Sequence, residues 1–269
     1  MNVSFSYNTT QVLNNISIAV PHGGITGVLG PNGSGKTTLL NLLGGLLKPT
    51  AGYVRLDKKD LSTFSRSVLA KKMAFVTQET HLAFDYSVLE IALMGRYPHL
   101  GPFQIEGPTD IKIAREALKI TGTRDLENRP FASLSGGEKQ RVIIASALAQ
   151  LLQTSTKYEF GITEGLLLLD EPTAALDLRY QLEIAATLRS LNKNQNTTIV
   201  VATHDLNLAA SLCDQLILLR SGHVLKEGPT LKVLSAETVR TLYNVEADVR
   251  FDENSGYLNI TPISKSPNA

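Results

Sequence analysis

The 269-residue chain is 43% hydrophobic, enough to fill a sizeable core, and its 26 Lys plus Arg nearly cancel its 25 Asp plus Glu. That balance excludes generic electrostatic attraction to DNA, RNA or anionic lipid. A single cysteine, Cys213, excludes an internal disulfide; no Cys/His cluster has zinc or iron spacing, and a reducing cytosol fits.

Val3 to Tyr7 and Val12 to Val20 carry β-branched and aromatic residues around Asn8-Thr9-Thr10, a pattern that predicts antiparallel strands joined by a turn. Ile25 to Leu29 follows as a short buried strand, then a glycine-rich loop, then a buried helix over Thr37 to Leu47. From about Ser87 to Gln150 the pattern turns helical. Ile111, Ala114, Ala117 and Leu118 share one helical face, with Pro108 and Asp110 at its start and Gly122 past its end. Leu166 to Leu169 and Thr198 to Ala202 read as buried parallel strands, with a helix over Leu182 to Leu191 between them. Beyond Gly228 a short helical stretch leads to Val249 to Phe251 and Tyr257 to Ile260, a closing hairpin turned by Asp252 to Gly256; Pro267 to Ala269 is expected to fray. The longest aliphatic run, Leu166 to Leu169, falls far short of the roughly 20 residues that span a bilayer, and the first residues lack a signal-peptide pattern. Any membrane attachment is therefore expected through a partner.

Gly30-Pro31-Asn32-Gly33-Ser34-Gly35-Lys36-Thr37 fits the phosphate-loop pattern G-x-x-x-x-G-K-[ST] and lies between a strand and a helix, as that pattern requires. Its glycines let backbone N–H groups converge on phosphate oxygens, Lys36 supplies a charge for the β- and γ-phosphates, and Thr37 offers a hydroxyl to Mg2+. A glycine-rich turn that binds nothing is the competing reading. Asp170 and Glu171 end a buried strand, where open α/β sheets place ligands. Asp170 is expected to hold Mg2+ through its water shell and Glu171 to polarise an attacking water. Leu134-Ser135-Gly136-Gly137-Glu138 opens another helix with capping-box spacing. A plain cap explains the serine and glutamate; the double glycine suits a backbone that must approach a phosphate.

These motifs together resemble the ABC ATPases, whose signature is L-S-G-G-[QE] and whose two copies sandwich ATP head to tail. The resemblance covers nearly the whole chain and implies an α/β fold: a P-loop NTPase core with an antiparallel β subdomain and a helical signature subdomain. Residues 1–228 would form the ATPase domain, with the helical part at about 87–150 inserted, and residues 229–269 its C-terminal helix and hairpin extension. The resemblance implies that residues Gly30 to Thr38, Thr38 included, hold ATP, with Tyr7 stacked on adenine. Glu171, His204, Gln78 and Lys36 would be catalytic, and Thr37, Gln78 and Asp170 would serve Mg2+. Ser135, Gly136, Gly137, Glu138 and Asp177 would reach the nucleotide of the second copy. Taken singly, Tyr7 could be a strand-packing aromatic, Gln78 a surface amide and His204 a helix cap. His22, His81, His99 and His223 read as ordinary surface residues.

Glu90 to His99, with Val233 to Ser235 and Leu242 to Val245, is similar to the importers of iron-siderophore, haem and vitamin B12 type. That similarity implies a membrane permease docked around Gln78 to Arg96, a substrate-binding protein reached indirectly, and a place on the cytoplasmic face of the inner membrane, with no nucleic-acid partner. A soluble ABC ATPase of DNA repair, translation or iron–sulfur assembly is the alternative, and a regulator that binds ATP without turnover is another. The start at Met1-Asn2-Val3 is shorter than in relatives, Ser146 stands where the family has arginine, and Leu152 to Gly165 is a longer link than usual.

Overall fold

A computed structural model describes residues 2–78, 84–154, 160–162, 165–174, 176–195 and 197–266. The first elements are β1 (Val3–Tyr7), β2 (Thr10–Ile16), β3 (Ile25–Leu29), α1 (Lys36–Leu43), β4 (Arg55–Leu56), β5 (Lys59–Asp60), α2 (Arg66–Lys72) and β6 (Met73–Val76). Then come α3 (Val88–Met94), α4 (Pro108–Ile120), α5 (Gly136–Leu151), β7 (Gln153–Thr154), β8 (Phe160–Gly161), β9 (Leu166–Asp170) and α6 (Leu178–Gln195). The rest are β10 (Thr198–Thr203), α7 (Leu206–Leu212), β11 (Gln215–Arg220), β12 (His223–Pro229), α8 (Thr230–Val233), α9 (Ala236–Tyr243), β13 (Val245–Asp252) and β14 (Tyr257–Lys265). The chain divides into two compact units, Met1–Thr63 with Val200–Ala269, and Phe64–Ile199.

In the first unit β1 and β2 form an antiparallel hairpin with Tyr7 opposite Thr10, turned through Asn8 at φ 52. Val3, Phe5, Leu13 and Ile16 are buried; Val3 and Phe5 alternate as in a sheet covered on one side, while an irregularity with Asn15 at φ 50 shifts the phase between Leu13 and Ile16. The second strand ends at Ile16, short of the expected Val20. Every residue of β3 is buried, β11 runs parallel to it, and β12, β11, β3 and β10 follow one another in the sheet. Continuous apolar runs suit strands covered on both faces. Helix α1 stops at Leu43, earlier than the apolar pattern implied, because Gly44 caps it and Gly45 turns left-handed at φ 69. Leu46 is consequently left on the surface. The closing hairpin is longer than expected, Val245 pairing with Lys265 at its base.

In the second unit β6 and β9 pair in parallel, Met73 opposite Leu166 and Val76 opposite Leu169. The helical segment begins with α3, whose N-cap Ser87 and third residue Glu90 exchange hydrogen bonds in a capping box. Helix α4 buries Ile113, Ala114, Ala117 and Leu118, while Ile111, assigned to that face by spacing, is half-exposed. Gly95, at the end of α3, lies so close to α5 that a Cβ would sit 2.0 Å from the Ser146 carbonyl oxygen. Arg96 is buried and donates to the carbonyls of Ala149 (2.6 Å) and Leu152 (2.9 Å), closing the C-terminus of α5, while its Nε pairs with Asp110 at 3.0 Å. Burial works against the Asp110 carboxylate, but the Gly107 amide and Arg96 outweigh it and hold its pKa below the usual value.

His99 corrects a sequence expectation. It is half-buried, and its Nε2 donates to the Gln150 carbonyl at 2.8 Å; His22 and His223 are exposed, and His81 lies outside the described residues. The expected docking stretch loses residues 79–83 to the same limit, the long link after Leu152 loses 155–159, 163 and 164, and the terminal 267–269 lie outside too.

Candidate functional site

The phosphate loop leaves β3 at Leu29, and its glycines are imposed by neighbours in the first unit. A Cβ on Gly30 would lie 2.2 Å from the Leu219 carbonyl oxygen and 2.6 Å from the Ser34 hydroxyl. Gly35 has φ 104, and a Cβ there would meet Leu13 Cδ2 at 2.6 Å. Gly33, at φ 77, faces open space, so conformation alone selects glycine there. The Gly222 amide donates to the Ser34 carbonyl at 3.1 Å, and the Gly222 carbonyl accepts from Asn14 N at 2.9 Å. The turn between β11 and β12 therefore clamps the loop from behind. Gly222 has φ 77, and a Cβ would approach the Val12 carbonyl oxygen to 2.3 Å, so no other residue fits that clamp without displacement.

Lys36 is buried, and its Nζ donates to the carbonyls of Gly30 (2.9 Å) and Pro31 (3.2 Å), which holds the ammonium over the loop. Ser34 is buried too, its hydroxyl without a hydrogen-bond partner among the described residues. Helix α1 starts here behind Gly35, with no side-chain cap among the described residues. First-turn amides and the positive end of the helix thus face the loop, an arrangement suited to phosphate. Asn32, Gly33 and Thr37 are exposed, Pro31 is half-exposed, and Thr38 is buried.

Tyr7 ends β1, is 48% exposed, and packs edge-on against Phe5 with centroids 4.8 Å apart. His204 follows the buried strand β10 and is exposed. The helix after it is capped by Asp205, whose Oδ1 accepts from Asn207 N (2.9 Å) and Leu208 N (3.0 Å). His204 is therefore not the cap, and its own carbonyl accepts a hydrogen bond from the Tyr243 hydroxyl at 3.3 Å.

In the second unit the parallel register sends Gln78 and Glu171 off the same end of the β6–β9 pair, each two residues beyond the paired Val76 and Leu169. Asp170 is buried at the end of β9, while Glu171 is half-buried at φ 47. A left-handed glutamate carries strain of about 1 kcal/mol and turns the chain sharply off the strand, giving the two carboxylates different surroundings. Gln78 is exposed.

At the signature, Ser135 caps α5, its hydroxyl accepting from Glu138 N at 3.4 Å, while the Glu138 carboxylate accepts from Ser135 N and Oγ, both at 2.8 Å. The Ser135 amide, then its hydroxyl, hold the Glu138 carboxyl below its usual value. Gly137 is buried, and a Cβ there would lie 2.2 Å from the Tyr180 ring; at exposed Gly136 one would lie 3.3 Å from Leu176 Cδ2. Arg141 pairs with Glu183 and stands 5.9 Å over the Tyr180 ring, joining α5 to α6. Asp177 is exposed and accepts from Tyr180 N at 3.1 Å, closing the first turn of α6; Ala175 before it lies outside the described residues. The second glycine of the signature thus has a packing reason, Tyr180, that spacing could not reveal.

Leu219, Gly222 and Tyr180 were not singled out from the sequence, and Tyr243 entered only within the stretch Leu242 to Val245. Only Gly222 carried a local sign, the Ser-Gly turn dipeptide after a strand.

A family model described as ABC transporter matches residues 13–174. The cobalamin import ATP-binding protein BtuD of Halobacterium salinarum is 35% identical over 94% of this chain, which spans only 60% of that protein's length. The iron(3+)-hydroxamate import ATP-binding protein FhuC of Bacillus subtilis is 37% identical, over 93% of this chain and 88% of its own. The hemin import ATP-binding protein HmuV of Escherichia coli O157:H7 is also 37% identical, over 93% of each chain. Among solved structures, an inward-facing transporter assigned to the metal-chelate type superposes with TM-score 0.81 at 33% identity, over 98% of this chain and 96% of its own. A dimeric ATP-binding cassette in a post-hydrolysis state, bound to ADP and Pi, gives TM-score 0.71 at 31% identity, over 85% and 97%. The resemblance drawn from the motifs and the relatedness of the chain agree: this protein belongs to the ABC transporter family.

Proposed function

We propose that the chain hydrolyses Mg-ATP as one of two copies closed head to tail over nucleotide, and that it thereby powers uptake through a membrane permease. The observation that carries this reading is the phosphate loop, whose glycines are dictated by the Leu219 carbonyl at Gly30 and by left-handed backbone at Gly33 and Gly35, and whose helix start is open to an anion. The dimeric cassette bound to ADP and Pi supports both the nucleotide and the pairing.

In this reading the loop Gly30 to Thr38 grips the phosphates and Lys36 neutralises their charge, with Tyr7 against the adenine. Glu171 polarises the attacking water, Gln78 and His204 orient water and γ-phosphate, and in-line attack yields ADP and phosphate. Thr37, Gln78 and Asp170 offer hydroxyl, amide and carboxylate oxygens, a hard donor set that fits Mg2+, and the ion supplies charge neutralisation when bound. Ser135, Gly136, Gly137, Glu138 and Asp177 act on the nucleotide held by the second copy. Nucleotide then favours the closed pair and hydrolysis the open one, which gives a cycle able to do work.

The import relatives support a cargo of iron-siderophore, haem or cobalamin type, with a substrate-binding protein delivering it to the permease. Among the described residues no helix is long and apolar enough to cross a membrane, in keeping with a subunit that docks on the permease around Gln78 to Arg96 at the cytoplasmic face of the inner membrane. The net charge of +1 gives no field that favours a nucleic-acid partner.

The test is Glu171→Gln. Turnover should fall by at least about 100-fold while an ATP-bound dimer accumulates on size exclusion. Unchanged turnover would remove Glu171 from its role, and co-purification from native membranes without any polytopic partner would reject import.

A further inference from the structure

The segment from α9 to β14 takes no part in the reaction proposed above, yet it is fastened to the chain on either side of Asp205. Tyr243, the last residue of α9, donates its hydroxyl to the His204 carbonyl at 3.3 Å. Asn207, in the first turn of α7, meets β14 at two points: its amide nitrogen donates to the Ile260 carbonyl at 3.0 Å, and its amide oxygen accepts from Ile260 N at 2.9 Å. Asparagine has the donor and acceptor to satisfy both groups of one residue. The side chain acts as a one-residue strand neighbour and closes an otherwise open edge of the two-stranded hairpin.

The base of that hairpin is itself anchored. Arg240 pairs with Glu246 at 2.5 Å, Ser266 N donates to the Asn244 carbonyl at 2.9 Å, and Arg220 of β11 donates to Asn244 Oδ1 at 3.2 Å. Tyr243 is therefore presented from a fixed frame. Its target is a linker of two residues, His204 and Asp205, between a fully buried strand and a helix. In so short a linker, between a buried strand and a capped helix, rotation about ψ of His204 moves its carbonyl together with the loop backbone from which the imidazole projects. A donor placed on the carbonyl resists the rotation.

We propose that the α9–hairpin segment braces the loop of His204, with Tyr243 as a positioning residue that fixes the direction of the imidazole and Asn207 as the second fastening. This rests on the role given to His204 above.

Steady-state ATP hydrolysis by the full-length chain tests it with Tyr243→Phe, His204→Ala and the double variant. The phenylalanine keeps the ring and loses only the hydroxyl. Tyr243→Phe should lower kcat about three- to tenfold at unchanged KM for ATP, the size expected from one neutral hydrogen bond. In the His204→Ala background the same change should have no further effect on kcat, because the brace works on turnover through the imidazole. Asn207→Ala should reproduce the split between kcat and KM, and serves in place of Tyr243→Phe should that variant misfold. A wild-type kcat for Tyr243→Phe, or an equal loss with and without His204, overturns the brace while leaving the role of His204 intact. Wild-type turnover by His204→Ala would instead sink the role of His204 itself, and the brace with it.

Discussion

Gly30 and Gly35 lie in the loop that leads into α1, Gly136 and Gly137 open α5, and the two pairs are glycine for different reasons. In the phosphate loop the crowding at Gly30 comes from backbone, the Leu219 carbonyl, and Gly35 adds a left-handed φ of 104. At the signature the crowding at Gly137 comes from a side chain, Tyr180. Helix α1 begins without a side-chain cap among the described residues, whereas α5 closes its first turn with the Ser135–Glu138 box. One helix start is preset for an anion; the other already satisfies part of its own amide demand and has less to offer a phosphate. The contrast fits a division of labour in which the loop of one copy holds nucleotide and the signature engages it on closure.

The largest effect should come from Gly30→Ala. Neither the Leu219 carbonyl nor the β11 strand behind it can move freely, so the loop must shift, at about 3 kcal/mol, and nucleotide affinity should be lost. Thermal unfolding and a fluorescent-nucleotide titration read the two losses separately. Wild-type affinity in this variant would mean that the loop is softer than its contacts imply.

Gly137→Ala sharpens the contrast. The added methyl strikes the root of Tyr180, not its tip, so rotation of the ring gives no relief, and a loss of about 2 kcal/mol is expected. Pairing it with Tyr180→Ala should recover part of the stability, because the ring contacts at 2.2 Å go while the Cβ contact at 2.8 Å stays. If turnover returns as well, the glycine is there for packing; if stability returns and turnover does not, the backbone of Gly137 itself approaches phosphate.

What the sequence made legible follows the same divide. Phosphate loop, carboxylate pair and signature are contiguous, and their chemistry is written in local order. The reasons for individual residues are not: the carbonyl that forbids a side chain at Gly30 belongs to Leu219, the ring that forbids one at Gly137 belongs to Tyr180, and the hydroxyl on His204 arrives from 39 residues away. Element limits failed where apolar periodicity ran past a backbone signal. Leu46 and Leu47 prolonged the pattern of α1 although Gly44 and Gly45 had already ended it, and the hairpin's first strand was cut short because the polar Glu246 and Asp248 hid its start.

Ser135→Ala should cost about 1 kcal/mol through the lost cap. It also tests the electrostatics. Glu138 has a folded pKa below its ordinary 4.5, so its contribution is complete above that value and is lost as pH falls through the lower folded one. Urea unfolding across that window should show a shallower acid loss in the variant; an identical slope would mean that the box does not bias the carboxylate.

The smallest effect concerns the other end of α5, where His99 reports on how firmly the signature helix is held. Burial pushes its imidazole below the ordinary 6.5, the Gln150 carbonyl opposes that push, and Arg96 and Lys71 add to it against Asp110. Because the folded value is the lower one, the unfolded chain takes up the proton first as pH drops. The stability held by neutral His99 is therefore complete above 6.5 and declines as acid approaches the folded value, a decline that begins at higher pH than that of Glu138. The Gln150 side chain donates to the carbonyls of Ala70 (2.7 Å) and Met73 (2.8 Å), so the same residue that receives His99 joins α5 to α2 and to the start of β6, the strand leading to Gln78. His99→Gln can keep a donor for the Gln150 carbonyl but cannot titrate. It should flatten the pH dependence of unfolding just below neutrality while leaving the Glu138 window as it was. A slope unchanged by the substitution would assign that window to another group and leave Arg96 and the Gln150 side chain as the contacts that hold the C-terminus of α5.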